Sequence, residues 1–119
     1  MTALADIIAR PKRHKYGAVA TELDGHRFPS KAEMRRYAQL KLLERAGAIR
    51  DLQLHPRFPL VVNGVPCGKY IADFGYYDNR ADKAVVEDCK SPPTRTAVYR
   101  LKKRLVEALY APLTITEVA

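Results

Sequence analysis

The sequence predicts one α/β (α+β) domain in the order helix, three strands, helix, strand, with a mixed central sheet flanked by helices and a β-hairpin in front. Three observations predict it. Two capped stretches carry helical periodicity, "PSKAEMRRYAQLKLLERAGA" and "TRTAVYRLKKRLVEALY". Between them lie apolar runs punctuated by turn residues, the mark of strands. Before the first helix stands Asp24-Gly25, a strong type I′ turn signal. A chain of 119 residues, 47% of them hydrophobic, suits one folded core rather than two.

Residues 1–16 read as a basic N-terminal arm, and residues 17–119 as the domain. The arm packs Arg10, Lys12, Arg13, His14 and Lys15 into six positions. Such a run reads either as a phosphate-contacting tail or as a frayed terminus. "AVATELDGHRF" is the hairpin. The first helix takes Ser30 as its cap and Gly47 as its C′ residue. "AIRDLQL" is a short lead-in strand. "RFPLVV-NG-VPCGKYIADFGYYD" is a hairpin, and its prolines place it at an edge. "KAVVEDCK" is the third strand, reached through a turn at residues 79–82. "SPP" breaks the chain, the second helix follows and stops at Pro112, and "LTITEV" is the last strand.

The net charge is +8 and the pI is about 9.7. A small basic domain fits a polyanionic partner, nucleic acid foremost, or simply a soluble surface. Cys67 and Cys89 are the only cysteines. Without neighbouring histidines they make no zinc site and read as small buried hydrophobes. Their number, with no signal peptide and no apolar run near 18 residues, points to a reducing, cytosolic setting.

The third strand starts apolar and ends charged. Alternation puts Val86, Asp88 and Lys90 on one face and Val85, Glu87 and Cys89 on the other. Glu87 thus reads as structural or as a salt-bridge partner, unless a bulge reverses the faces. A four-residue loop at 79–82 sets Asp78 opposite Lys83 and therefore Asp73 opposite Asp88. Directly opposed Cβ atoms lie roughly 5 Å apart, so two carboxylates there repel and need compensation. A divalent cation suits carboxylate oxygens, and Lys90 helps from the same face. Glu33 shares a helical face with Tyr37, Leu40 and Glu44. It reads either as a third acid for the site or as the last residue of the capping box Ser30-Lys31-Ala32-Glu33. The second helix has an apolar arc of Ala97, Val98, Leu101, Leu105, Ala108 and Leu109, read as core-facing. Lys102 at its edge either snorkels or reaches a phosphate.

These residues resemble the PD-(D/E)XK nuclease superfamily. Asp73 in "IADF" matches the first acid, Asp88-Cys89-Lys90 the (D/E)-x-K element, and Glu33 in "SKAEMRRY" the upstream helical glutamate. The α-β-β-β-α-β order matches the restriction-endonuclease-like core. From Lys15-Tyr16 onward the chain also looks like a phage and prophage family of small basic proteins, often left as a domain of unknown function. The shared elements are Asp24-Gly25, Phe28, Ser30, Glu33, Tyr70 to Phe74, Val85 to Lys90 and Tyr99 to Lys103. His55-Pro56 departs from the polar residue, such as glutamine, that relatives tend to carry before this proline.

The resemblance implies a metal-dependent endodeoxyribonuclease of the host cytoplasm, phage or prophage encoded. Its Mg2+ (or Mn2+) would be held by Asp73, Asp88, the carbonyl of Cys89 and Glu33. Lys90 would orient water or offset charge, and Lys102 would be a supplementary phosphate contact. Lys12, Arg13, Lys15, Arg35 and Arg36 are candidate contacts to the DNA backbone, or simply face solvent. Superfamily resolvases suggest branched DNA and a homodimer, by analogy. No membrane and no nucleotide cofactor are expected. The competing classes are a non-catalytic DNA-binding module on the same fold and a phage assembly or interaction protein.

Overall fold

The computed structural model describes residues 21–119. The chain divides into a first compact unit ending at Arg36 and a second spanning Tyr37–Ala119. The basic arm, with Lys12, Arg13 and Lys15, lies outside the described residues. The fold is α+β with a mixed sheet and two helices.

In the first unit, β1 (Thr21–Leu23) pairs antiparallel with β2 (His26–Phe28), Leu23 opposite His26. Asp24 and Gly25 both have positive φ, 53° and 79°, as a type I′ turn requires. Helix α1 (Lys31–Arg45) starts in this unit. The Ser30 Oγ accepts the Glu33 N–H at 3.1 Å, satisfying one of the helix's orphan donors.

The helix ends in the second unit as the sequence predicts. Gly47 sits at φ 82°, and the Ala48 N–H bonds the Leu43 carbonyl at 2.9 Å, closing a Schellman turn. The strands are β3 (Ile49–Leu54), β4 (Arg57–Val62), β5 (Val65–Ile71), β6 (Phe74–Asp78), β7 (Lys83–Cys89) and β8 (Ile115–Val118). Helix α2 is Ala97–Leu109, capped by Thr96, whose Oγ1 accepts the Tyr99 N–H at 3.1 Å. The main sheet runs β3-β6-β7-β8, with β8 parallel to β7 and the other pairs antiparallel.

Two expectations change here. The lead-in strand is β3, a full edge of the main sheet. The long strand through "IADF" is broken at Ala72–Asp73 into β5 and β6, and its partner breaks at His55–Pro56 into β3 and β4. The cause is backbone. His55 takes φ 55°, and the proline after it cannot donate to a ladder. The chains stay stitched through the bend by His55 N–H to the Asp73 carbonyl at 3.0 Å and Ala72 N–H to the Pro56 carbonyl at 3.1 Å. The β4–β5 pair therefore swings out as its own two-stranded ribbon, carrying Pro59 and Pro66 where both strands are edges. Cys67 is exposed on β5 rather than buried.

Alternation divides the main sheet cleanly. Phe74 and Glu87 pair on one face, and the Phe74 ring stacks on Tyr37 of α1, centroids 6.5 Å apart. Gly75 and Val86 pair on the other. Val86 joins Leu60, Tyr70, Ala72, Tyr99, Val106 and Ile115 in the buried cluster under α2. Leu60 is fully enclosed there, so Leu60→Ala is expected to lower stability by about 2–5 kcal/mol, read from the denaturant midpoint.

Helix α2 does not turn its apolar arc inward. Tyr99 and Val106 are buried, Leu105 is half-buried, and Ala97, Val98, Leu101, Ala108 and Leu109 are exposed, Val98 at 64%. The Tyr99 hydroxyl donates to Glu117 Oε2 at 2.8 Å, and Glu107 Oε2 accepts the Ile115 N–H at 2.8 Å. Both bonds tie the helix to β8. Among the described residues no helix is long and apolar enough to cross a membrane.

Candidate active site at the ends of β6 and β7

The register of β6 and β7 is the expected one. Asp78 lies opposite Lys83 and Phe74 opposite Glu87, and the paired stretch ends there, one residue short of Asp73. Asp73 sits at the bend, just before β6. Its N–H donates to the Glu87 carbonyl at 3.1 Å. Its carboxylate reaches across the ladder, where Oδ2 accepts the Cys89 N–H at 2.7 Å, a charge-assisted bond. On the other side of Asp73 stands His55, with a ring nitrogen and an Asp73 oxygen within 4.8 Å of each other.

Asp88 is buried at 3% exposure. Its Oδ2 accepts the Tyr70 hydroxyl, and its Oδ1 lies 4.0 Å from the Lys90 ammonium. Burial pushes the Asp88 carboxyl up to about 6; Lys90 pulls it down and Glu117 pushes it up. The Lys90 Nζ in turn lies 4.4 Å above the Tyr99 ring, a cation–π contact that holds the ammonium beside Asp88. Burial raises the Tyr99 hydroxyl, as does its bond to Glu117. Arg95 completes this edge by pairing with Glu117 at 3.0 Å.

Each acid is compensated by protein groups, Asp73 by the Cys89 amide and Asp88 by the Tyr70 hydroxyl and Lys90. Glu87 points away from them, fully buried on the α1 face, and its carboxylate accepts the Tyr76 hydroxyl. The structure brings Asp88 and Lys90 together and gathers His55 with Asp73. Among the described residues, Asp88 belongs to no set of three or more His, Cys, Asp or Glu side chains with ligand atoms within 4.8 Å of one another. Glu33 is buried in the first turn of α1, in the first unit. Lys102 is half-buried on α2, Arg36 is half-buried and Arg35 is exposed.

Sequence reasoning missed Tyr70, Tyr99, Glu117 and His55 as parts of the site. Tyr70 is invisible if residues 65–78 are read as one straight strand, because its parity then opposes that of Asp88's partner. Tyr99 lies on the polar side of the apolar arc. His55 carried a signal, a histidine before proline opposite the "IADF" stretch, without a geometry to place it.

A family model described as "Protein of unknown function (DUF1064)" matches residues 13–119, and the chain belongs to that family. No curated protein and no solved structure matches the chain.

Proposed function

We propose that this member of a family of unknown function is a metal-dependent endonuclease of the PD-(D/E)XK kind, hydrolysing phosphodiester bonds in phage-related DNA. The observation that carries the reading is the Asp88-Cys89-Lys90 end of β7, where the Lys90 ammonium lies 4.0 Å from Asp88 Oδ1 and the Cys89 N–H holds Asp73 Oδ2 at 2.7 Å. Two carboxylates and a carbonyl are hard oxygen donors and suit Mg2+ or Mn2+. Asp73, Asp88 and the Cys89 carbonyl would hold the ion, and Glu33 enters on its match to the superfamily pattern alone. When bound, the cation supplies an acidified water and polarises the phosphate.

The chain's own groups do the rest. Lys90 holds positive charge where negative charge develops on the phosphate, and the Tyr99 ring keeps it there. Tyr70 fixes the Asp88 carboxylate through one oxygen and leaves the other toward Lys90. The net charge of +8 draws the DNA backbone, with Arg35 and the arm residues Lys12, Arg13 and Lys15 as its contacts. Branched DNA and a homodimer with two sites extend the proposal by analogy with resolvases. The second reading, a DNA-binding module that does not cut, is favoured by the Tyr70 hydroxyl occupying Asp88 Oδ2.

Supercoiled plasmid incubated with protein and Mg2+ or Mn2+ separates the two. Cleavage with either metal that EDTA stops supports the nuclease. Retention of DNA without a nick in any metal supports the binding module. Linear, nicked and four-way substrates side by side then define the preferred DNA.

A further inference from the structure

We infer that His55 is a ligand to the cation at Asp73, and that this nitrogen tilts the site toward a first-row transition ion such as Mn2+ and away from Mg2+, an inference that rests on the metal-dependent reading above. A ring nitrogen of His55 and a carboxylate oxygen of Asp73 lie within 4.8 Å. One ion with bonds of about 2.0–2.2 Å reaches two ligands up to about 4.4 Å apart, so only a small side-chain adjustment separates the pair from shared coordination. The backbone fixes the pair rather than chance rotamers. The His55 N–H bonds the Asp73 carbonyl at 3.0 Å, and the next pair inward, Ala72 N–H to the Pro56 carbonyl, holds at 3.1 Å. The φ of 55° at His55 turns the ring out of the regular strand alternation and sets it beside this bend.

The chemistry gives direction. Magnesium takes oxygen ligands and keeps most of its water, whereas imidazole is a good ligand for transition ions. The Cys89 amide already takes Asp73 Oδ2, which orients the carboxylate and fixes what it offers an ion. His55 is exposed, so the ion's remaining positions face solvent and a phosphate can reach them. A glutamine at this place would offer oxygen instead, and the ion preference would follow.

Mn2+ added alone to the whole protein, without DNA, tests this by two readouts. Pulsed EPR of bound Mn2+ is expected to show hyperfine coupling to a directly ligated imidazole 14N. That coupling disappears in His55→Gln and in His55→Asn, the second chosen because asparagine tolerates the left-handed backbone. Calorimetry is expected to show Mn2+ affinity falling about tenfold in either variant while Mg2+ affinity changes less than twofold. Bound Mn2+ without the nitrogen coupling overturns the role of His55 and leaves the metal site standing. Coupling that persists in both variants, each with an unchanged circular dichroism spectrum, also overturns it. No Mn2+ binding to the wild-type protein overturns the metal reading itself, and this inference with it.

Discussion

Asp88→Asn raises the melting temperature of the metal-free protein at pH 7.5 while abolishing cleavage. Asp88 is buried, and burial is the main reason its carboxyl titrates at about 6 rather than at the ordinary 3.8. A carboxyl raised in the folded state binds its proton more tightly there than in the unfolded chain. Its stabilising share is therefore fully present below about pH 4 and is lost as the pH rises through about 6. At pH 7.5 the wild-type fold carries a buried anion that Tyr70 and Lys90 only partly offset. Asparagine keeps the shape, still accepts the Tyr70 hydroxyl, and carries no charge. The expected gain is a rise of roughly 4–8 °C in EDTA at pH 7.5, the yield of about 1 kcal/mol in a domain of this size. At pH 4.5 the difference should shrink toward zero. On the proposed nuclease reading, cleavage falls at least about 1000-fold, since a proposed metal ligand is gone. A melting curve showing the variant less stable at pH 7.5 would mean that ionised Asp88 supports the fold rather than strains it.

Lys90→Met has the second large effect. The lysine stem is half-buried and its ammonium is held between the Asp88 carboxylate and the Tyr99 ring. Methionine fills similar space without charge. Loss of a positioned charge at the transition state is expected to lower kcat by about 100–1000-fold. On the proposed reading the phosphate contacts lie elsewhere, so DNA affinity is expected to change little. A distinct signature accompanies the rate. Lys90 pulls the Asp88 carboxyl down, so its removal moves that titration above 6, visible in carboxyl-carbon NMR. An unchanged Asp88 titration would detach the lysine from the site.

Local rules reached far into this chain. The turn at Asp24-Gly25, the helix limits at Ser30 and Gly47, and the opposite faces of Glu87 and Asp88 each follow from a few neighbouring residues. So does the register of β6 on β7, because a four-residue loop has few ways to close. The bend at His55 and Asp73 did not follow. Left-handed backbone at a histidine has no local signature, and a break opposite a break is a property of two strands together. Everything that depends on the bend stayed hidden with it, including the Tyr70 hydroxyl on Asp88, 18 residues away in the chain. Helix α2 misled for a related reason. Its apolar arc is a strong periodic signal, yet the face that packs is the one carrying Tyr99 and Val106, which joins the core and is tied to β8 through Glu117.

The same bend gives the site its character. At the bend Asp73 keeps both backbone groups bonded, to His55 and Glu87, while its carboxylate takes the Cys89 amide. The bend also turns the β4–β5 ribbon so that Tyr70 falls on the α2 side of the sheet, against Asp88.

The most direct measurement is the anomalous scattering of Mn2+ diffused into crystals of the protein. The account places one strong peak within bonding distance of carboxylate oxygens from both Asp73 and Asp88. A peak that leaves Asp88 bound to Tyr70 and out of reach, or no peak at these residues at all, would contradict it.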